Sequence, residues 1–540
     1  MIIHRQLDGQ LNIPNAPRSV ALGLFDGLHI GHRAVIAAAV EGGGDELTHA
    51  VFTFLPQTVK KAGFKRLCSD GEEQALLTSM GVDELIKADF SAIRHLSPEE
   101  FVRDILHEQL HAKRVSCGFN YRFGAGGVGD AALLTSLCAD CGITVTVVPE
   151  VNCGDTAINS TAIRIAIADG DMPLARRLLG RPYCLKLPVT HGQHLGRRLG
   201  LPTVNQALPN DMVLPRFGVY ASCIQWDGNT YPAVTNIGVR PTVGAAAPLA
   251  ETYILGFDGD LYGTAPTVYP LQFLREERTF DSLDELKAQI RRDADAVQTM
   301  FAPPDKRDVR AVFFDYDDTL DNRDDAFRDG LSSFIRYYYP SLTEEEFLVR
   351  LDEMFYFQRS GYGRVIYYRD LVEHFLSLYP PERSVDVDRA LRRLEISFSA
   401  TGIPHNDVKP TLAALREMGY AIGIITNGEA HIQARKMDHS GLRPFVDLIV
   451  LAGEEGCQKP DARVFRLAAA RLGVPCECCV FVGDHPITDL AGARAANFIP
   501  LRKRADLSAD HPLHQMTMPT DIPVIDRISD ITRWLDTITD

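Results

Sequence analysis

Apolar and polar positions along the chain fall into three successive patterns. Up to Glu150, short apolar runs (SVALGLF, THAVFTF, HAKRVSCGF, TVTVVPE) alternate with helical segments such as HRAVIAAAV and EEQALLTSMG. That order predicts a parallel sheet with crossover helices. From Leu185 to Val268 the runs shorten to LKLPVT, GVYASCIQW, YPAVTNIG and ETYILGF, divided by Gly, Pro and Asn turns, which predicts a small antiparallel β-barrel. A helical stretch from Ser282 to Met300 leads into APPDKRD, which has no periodicity and reads as a linker. A new strand, Val309 to Phe314, then opens a second α/β domain. A helical insertion rich in aromatics, from Asp325 to Ser399, interrupts it. The expected division is 1–178, 179–301, a linker at 302–308, and 309–540 with the insertion at 325–400 acting as a cap.

Length and composition agree with a multidomain enzyme. At roughly 150 residues per domain, 540 residues make three or four units. A content of 45% hydrophobic and 24% charged residues is that of ordinary globular chains. The formal charge of −15 provides no positive field for a nucleic-acid backbone or an anionic membrane, so neither is an expected partner. Eleven cysteines, an odd number, read as reduced thiols; Cys138 with Cys141, and Cys476, Cys478 and Cys479, lack the paired spacing of a zinc site. The first ten residues have no apolar signal core and no run is long enough to span a bilayer, so the expectation is a cytoplasmic protein acting on small molecules.

The segment Gly23-Leu24-Phe25-Asp26-Gly27-Leu28-His29-Ile30-Gly31-His32 lies where a strand runs into a helix, and free N–H groups and the helix dipole there favour phosphate. His29 and His32 share one face of the first turn and Gly31 admits a close backbone approach, so both imidazoles can donate to a triphosphate oxygen. Two surface histidines are the plainer alternative. Further along, Ser160, Thr161 and Arg164 supply hydroxyls and a guanidinium suited to leaving pyrophosphate.

These segments resemble the bacterial bifunctional riboflavin kinase/FMN adenylyltransferases, also called FAD synthetases. Gly118-Phe119-Asn120-Tyr121-Arg122-Phe123-Gly124 and Leu96-Ser97-Pro98-Glu99-Glu100-Phe101 extend the likeness. The resemblance implies a Rossmann-like nucleotidyltransferase. In it His29 and His32 would stabilise the α-phosphoryl transition state, Gly23, Phe25, Asp26, Gly31, Ser160, Thr161 and Arg164 would bind ATP, and Asn120 would help place FMN. Where the family reads TFxPHP, this chain has Thr53-Phe54-Leu55-Pro56-Gln57-Thr58, so one histidine is replaced by glutamine, which cannot carry a charge.

The loop from His191 to Gly200, with Gly192, Gly196 and Arg197, can wrap nucleotide phosphates through backbone N–H groups. Thr203 and Asn205 follow, two oxygens on one side of an extended backbone, as Mg²⁺ held with ATP requires. With Asn236-Ile237-Gly238-Val239-Arg240-Pro241-Thr242 and Phe273-Leu274-Arg275 they resemble the riboflavin kinase module. By that resemblance Glu251 is the base for the riboflavin 5′-hydroxyl and Arg275 lies on the flavin side.

Phe313-Phe314-Asp315-Tyr316-Asp317-Asp318-Thr319 places two carboxylates at a strand's carboxyl end, where open α/β sheets bind ligands. Asp315 would attack phosphorus, and Asp317 would protonate the leaving oxygen and then activate water. Thr426 with Asn427, then Lys459, then Asp484 with Asp489 follow in the order of the haloacid dehalogenase superfamily, which this stretch resembles. Thr426, Asn427 and Lys459 would bind phosphate, and Asp315, Asp317, Asp484 and Asp489 would hold Mg²⁺. The expected substrate is 5-amino-6-(5-phospho-D-ribitylamino)uracil. The alternatives are FMN, a general phosphate monoester, or a flavin-sensing module without turnover. Aromatics from Tyr337 to Tyr339 and Phe355 to Phe357, with Tyr362, Tyr367 and Tyr368, either line a pocket for a flat ring or form the cap's own core.

Overall fold

In the computed structural model the described residues are 1–5, 13–44, 46–59, 65–153, 156–190, 203–239, 248–301, 308–360, 368–381, 385–505, 513 and 516–539. The fold is multidomain. Its first part is a six-stranded parallel sheet in the order β1-β4-β3-β2-β5-β6, with β1 Ile2–Arg5, β2 Arg18–Leu22, β3 Thr48–Phe54, β4 Glu84–Ala88, β5 Ala112–Gly118 and β6 Thr144–Val148. Two of these, β1 and β4, were not expected from the hydrophobic pattern. In β4 the cause is visible, because Glu84 and Lys87 interrupt the apolar run yet are buried. Arg18 Nε reaches Glu84 Oε2 at 2.6 Å and Lys87 Nζ reaches Glu73 Oε2 at 2.5 Å, which compensates both charges. The strand expected over SVALGLF stops at Leu22, where the chain turns into helix α1, Ile30–Gly43.

Helix α2, Ser160–Asp169, and the helix Met172–Leu179 close the first part, but the core does not break there. Ile163, Ile167 and Leu178 share one cluster with Leu185, Tyr220 and Ile237 of the second part. That part is a seven-stranded antiparallel sheet containing β7 Thr203–Ala207, β8 Gly218–Trp226, β9 Asn229–Val239, β10 Pro248–Ile254 and β11 Thr267–Arg275, in the order β7-β10-β9-β8-β11. Its two edges are the two-residue strands Val189–Thr190 and Leu185–Lys186. Only Leu187 and Pro188 separate those edges in the chain, so the sheet curls round on itself in the manner of the small barrel expected. Helix α3, Leu283–Phe301, packs Val297 against Val219, Ala221 and Val234 of this sheet.

The third part has a six-stranded parallel sheet built on β12 Ala311–Phe314, β13 Ala421–Thr426, β14 Leu448–Leu451, β15 Cys479–Gly483 and β16 Ile499–Lys503, in the order β14-β13-β12-β15-β16, with Val524–Ile525 outermost. Among the described residues the insertion forms four helices, α4 Arg323–Tyr338, α5 Glu344–Ser360, α6 Tyr368–Leu378 and α7 Val387–Ser399. A bridge between Asp321 and Pro404 closes its neck. Tyr338, Tyr339, Phe355, Phe357 and Tyr368 pack in the cap's hydrophobic cluster with Phe327 and Phe334, the core alternative; Tyr362 and Tyr367 lie outside the described residues. Helices α8, Ala430–Ser440, and α9, Ala462–Leu472, flank the sheet. Both also dock the third part on the other two. Arg33 of α1 pairs with Asp438 of α8 at 3.2 Å, and Arg471 of α9 donates to Gln225 at 2.9 Å and to Tyr269 at 3.2 Å. Among the described residues no helix is long and apolar enough to cross a membrane.

Candidate functional site

Three groups of side chains lie at strand ends or across a sheet. In the first part the turn after β2 gives Phe25 and Leu28 φ values of 49° and 43°, which folds the chain sharply under α1. His29 caps α1, its Nδ1 accepting the His32 N–H at 3.2 Å. The two imidazoles stack with centroids 3.5 Å apart, and Phe25 meets His32 edge-on at 5.4 Å. A Cβ on Gly31 would lie 3.3 Å from the His29 ring, and one on Gly23 would lie 2.9 Å from the Phe25 ring. Burial, reinforced by the Arg181 and Arg164 guanidiniums, pushes His29 down to about 4. Burial, then His29 and Arg164, hold His32 well below its ordinary value. Both rings are therefore neutral N–H donors at pH 7. The buried Nδ1 of His32 has no hydrogen-bond partner among the described residues.

Asp26 ties α2 to this turn. Its Oδ1 accepts the Leu67 N–H at 2.9 Å, its other oxygen pairs with Arg164, and its carbonyl accepts from Ser160 Oγ at 3.1 Å. Thr161 is exposed on the first turn of α2, capped by Asn159, and Asn120 is exposed just past β5 on the same carboxyl edge of the sheet. The Gln57 side chain lies outside the described residues.

In the second part, strand register aligns the chemistry. Glu251 on β10 stands directly opposite Asn205 on β7 and, on its other side, opposite Asn236 on β9. Thr235 and Thr252 meet at 3.0 Å one residue away, on the buried face. Asn205 is buried, and its Oδ1 has no hydrogen-bond partner among the described residues. An orphaned oxygen beside a carboxylate, with half-buried Thr203 two residues away, fits a cation. Gly192, Gly196 and Arg197 lie outside the described residues. Arg275, expected on the flavin side, is forked onto Asp293 of α3, with Nη2 to Oδ2 at 2.6 Å and Nε to Oδ1 at 3.0 Å. A bidentate pair of this kind clamps the sheet to the helix.

In the third part Lys459 Nζ bridges Asp315 Oδ1 at 2.5 Å and Asp489 Oδ1 at 2.7 Å. Ligand oxygens of Asp315, Asp484 and Asp489 lie within 4.8 Å of one another. Thr319 Oγ1 donates to Asp484 at 3.2 Å and the His485 N–H to Asp489 at 3.0 Å, which fixes both carboxylates. Burial and Asp489 push Asp315 up to about 8 against the pull of Lys459. Burial, with Asp489, Asp318 and Asp315, also holds Asp484 well above its ordinary value. Buried carboxylates that repel one another in this way fit Mg²⁺.

Two of the expected site side chains make contacts of their own. The Asp317 carboxylate is not part of the metal-type cluster, because it is turned to Lys436 and Gln433 of α8, the latter at 2.9 Å. The Asn427 side chain is held by the Lys459 backbone. Its Nδ2 donates to Lys459 O and its Oδ1 accepts the Lys459 N–H, both at 2.9 Å, so it positions the lysine. Thr426 is buried at the end of β13 beside it. Sequence reasoning assigned no role to Gln433, Lys436 or Asn236; the first two lie on a helix far along the chain from Asp317, and only Asn236 stood in a quoted motif.

A nucleotidyltransferase sheet, a curled antiparallel kinase sheet and a capped hydrolase in one chain define a multifunctional enzyme. Residues 13–162 match the FAD synthetase family model, 179–301 the riboflavin kinase model, and 309–497 the haloacid dehalogenase-like hydrolase model. The chain is 38% identical over 292 residues to the bifunctional riboflavin kinase/FMN adenylyltransferase of Pseudomonas fluorescens, covering 52% of this chain and 92% of that protein. It is 37% identical over 292 residues to the protein of that name from Escherichia coli (strain K12), covering 52% and 93%. A crystal structure named a macrolide-efflux protein from Streptococcus pneumoniae is similar at 30% identity and a TM-score of 0.50, over 55% of this chain and 98% of that one. The chain belongs to the bifunctional riboflavin kinase/FMN adenylyltransferase family, and it carries a haloacid dehalogenase-like hydrolase domain in addition.

Proposed function

We propose that this chain makes FAD from riboflavin in two ATP-dependent steps and that its third domain hydrolyses a phosphate monoester. The observation that carries the flavin reading is Glu251 standing between Asn205 and Asn236, within a chain whose relatives bear both activities in their names. In the kinase step Glu251 takes the proton of the riboflavin 5′-hydroxyl as that oxygen attacks the γ-phosphorus of ATP and ADP leaves. In the adenylylation step an FMN phosphate oxygen attacks the α-phosphorus of ATP. His29 and His32 donate neutral N–H groups to the charge that develops, and Ser160, Thr161 and Arg164 receive the departing pyrophosphate.

In the hydrolase Asp315 attacks phosphorus, Lys459 offsets the charge on nucleophile and phosphate, and Asn427 holds Lys459 in place. Asp317, ionised before substrate binds, takes the proton of the bound phosphate monoester's monoanion and passes it to the leaving oxygen, and later takes one from the attacking water. Thr203 with Asn205, and Asp315 with Asp484 and Asp489, would hold Mg²⁺, which when bound neutralises phosphoryl oxygens. The substrate favoured is 5-amino-6-(5-phospho-D-ribitylamino)uracil, since a hydrolase joined to a riboflavin-consuming pair would then feed its own neighbours. The test is phosphate release by the purified chain with Mg²⁺ from that compound and from FMN side by side, with Asp315→Asn as blank. Preference for the uracil compound is expected; preference for FMN overturns the substrate assignment, and equal activity in the blank overturns the hydrolase reading.

A further inference from the structure

We propose that Asn236 is a substrate-binding residue of the kinase site, its carboxamide oxygen accepting a hydrogen bond from a hydroxyl of the flavin's polyol chain, and that Glu277 positions it. The inference rests on the kinase reading above and adds residues that reading does not use. Directly opposed residues on neighbouring strands project from the same face with Cβ atoms about 5 Å apart. Asn205, Glu251 and Asn236 are so opposed across three strands, and form one row on one face. On one side of Glu251 stand Thr203 and Asn205, two oxygens suited to the cation that accompanies ATP. Asn236 occupies the other side.

The orientation of its amide is set from outside the row. Asn236 Nδ2 donates to Glu277 Oε1 at 3.0 Å, and a carboxylate can only accept. With the nitrogen tied there, Oδ1 faces away, and that buried oxygen has no hydrogen-bond partner among the described residues. Room for the Glu277 carboxylate exists because residue 238 is glycine: a Cβ there would lie 2.1 Å from Glu277 Oε1. A buried acceptor without a donor is unfavourable, and a bound group that brings a donor satisfies it. The neighbouring Glu251 carboxylate is an acceptor as well. A molecule with adjacent hydroxyls suits the pair, one hydroxyl losing its proton to Glu251 and a second donating to the orphaned Asn236 oxygen. A sugar-alcohol chain has that pattern.

The test is kinase kinetics for Asn236→Ala, Glu277→Ala and Glu277→Gln, with FAD formation from supplied FMN as the folding control in the same chain. Asn236→Ala is expected to raise the riboflavin KM about tenfold while the ATP KM and the Mg²⁺ dependence stay within about twofold. Glu277→Ala should shift the riboflavin KM in the same direction, and Glu277→Gln should restore it, because a glutamine oxygen still accepts from Asn236. An unchanged riboflavin KM, or a shift in the ATP or Mg²⁺ dependence in its place, overturns the proposal. If the wild-type chain forms no FMN, the kinase reading fails; quenching of riboflavin fluorescence, titrated against wild type and Asn236→Ala, then decides the binding role separately.

Discussion

Lys436, wholly buried on α8, is ion-paired with Asp317, whose other carboxylate oxygen accepts from Gln433 Nε2 at 2.9 Å. Burial alone would raise the Asp317 carboxyl, but Lys436 and Arg323 outweigh it and hold the group below its ordinary value. In this arrangement Asp317 is ionised, ready to take a proton from water. Removing the ammonium leaves a buried carboxylate uncompensated, at a cost of about 3–5 kcal/mol. Lys436→Met is therefore expected to lower the melting temperature. It should also move the acid limb of the hydrolysis pH profile to higher pH, because a carboxylate without its cation titrates higher. Unchanged melting and an unchanged acid limb would contradict this.

His29 predicts a pH dependence of stability. Held at about 4 when folded, against an ordinary 6.5, it stays neutral where the unfolded chain binds a proton. The stability it contributes is complete above 6.5 and is lost as pH falls toward 4, on the order of 3 kcal/mol. His32 acts in the same direction. The melting temperature should rise with pH across that window and then level, and His29→Gln should flatten part of the slope. FAD formation should show no limb near 6.5 that the substitution removes. Such a limb would mean that a charged imidazole acts in the reaction.

Asp438 carries two guanidiniums. Arg33, the residue after His32, and Arg443 both pair with its buried carboxylate, so a hydrolase side chain anchors the helix that begins at the adenylylation site. Asp438→Asn would strand two buried cations. The expected outcome is a lower melting temperature and several-fold slower FAD formation, with FMN formation unchanged. Equal rates and equal melting would show that docking through α8 is immaterial to the first domain.

Much of the site was legible because its chemistry is packed into contiguous stretches. His29 with His32, Thr203 with Asn205 and Asp315 with Asp317 each lie within a few residues, and short spacing on a helix or strand fixes a shared face. The parallel sheets were legible where strands are apolar throughout, as in THAVFTF, and illegible where buried charges are paired from afar, as Glu84 is with Arg18. Partners such as Lys436 for Asp317, Glu277 for Asn236 and Asp438 for Arg33 are joined by tertiary packing alone. No local pattern of apolar and polar positions announces them.

Separation of the two flavin sites is the central claim, and Glu251→Gln tests it most directly. Glutamine keeps the shape of Glu251 but cannot take the hydroxyl proton. Flavin products would be measured from the purified variant given ATP and Mg²⁺ with riboflavin, and in parallel with FMN. The expected result is no FMN from riboflavin and FAD from supplied FMN at the wild-type rate. Loss of both products from a variant that melts like the wild type would contradict the assignment of two sites in two domains.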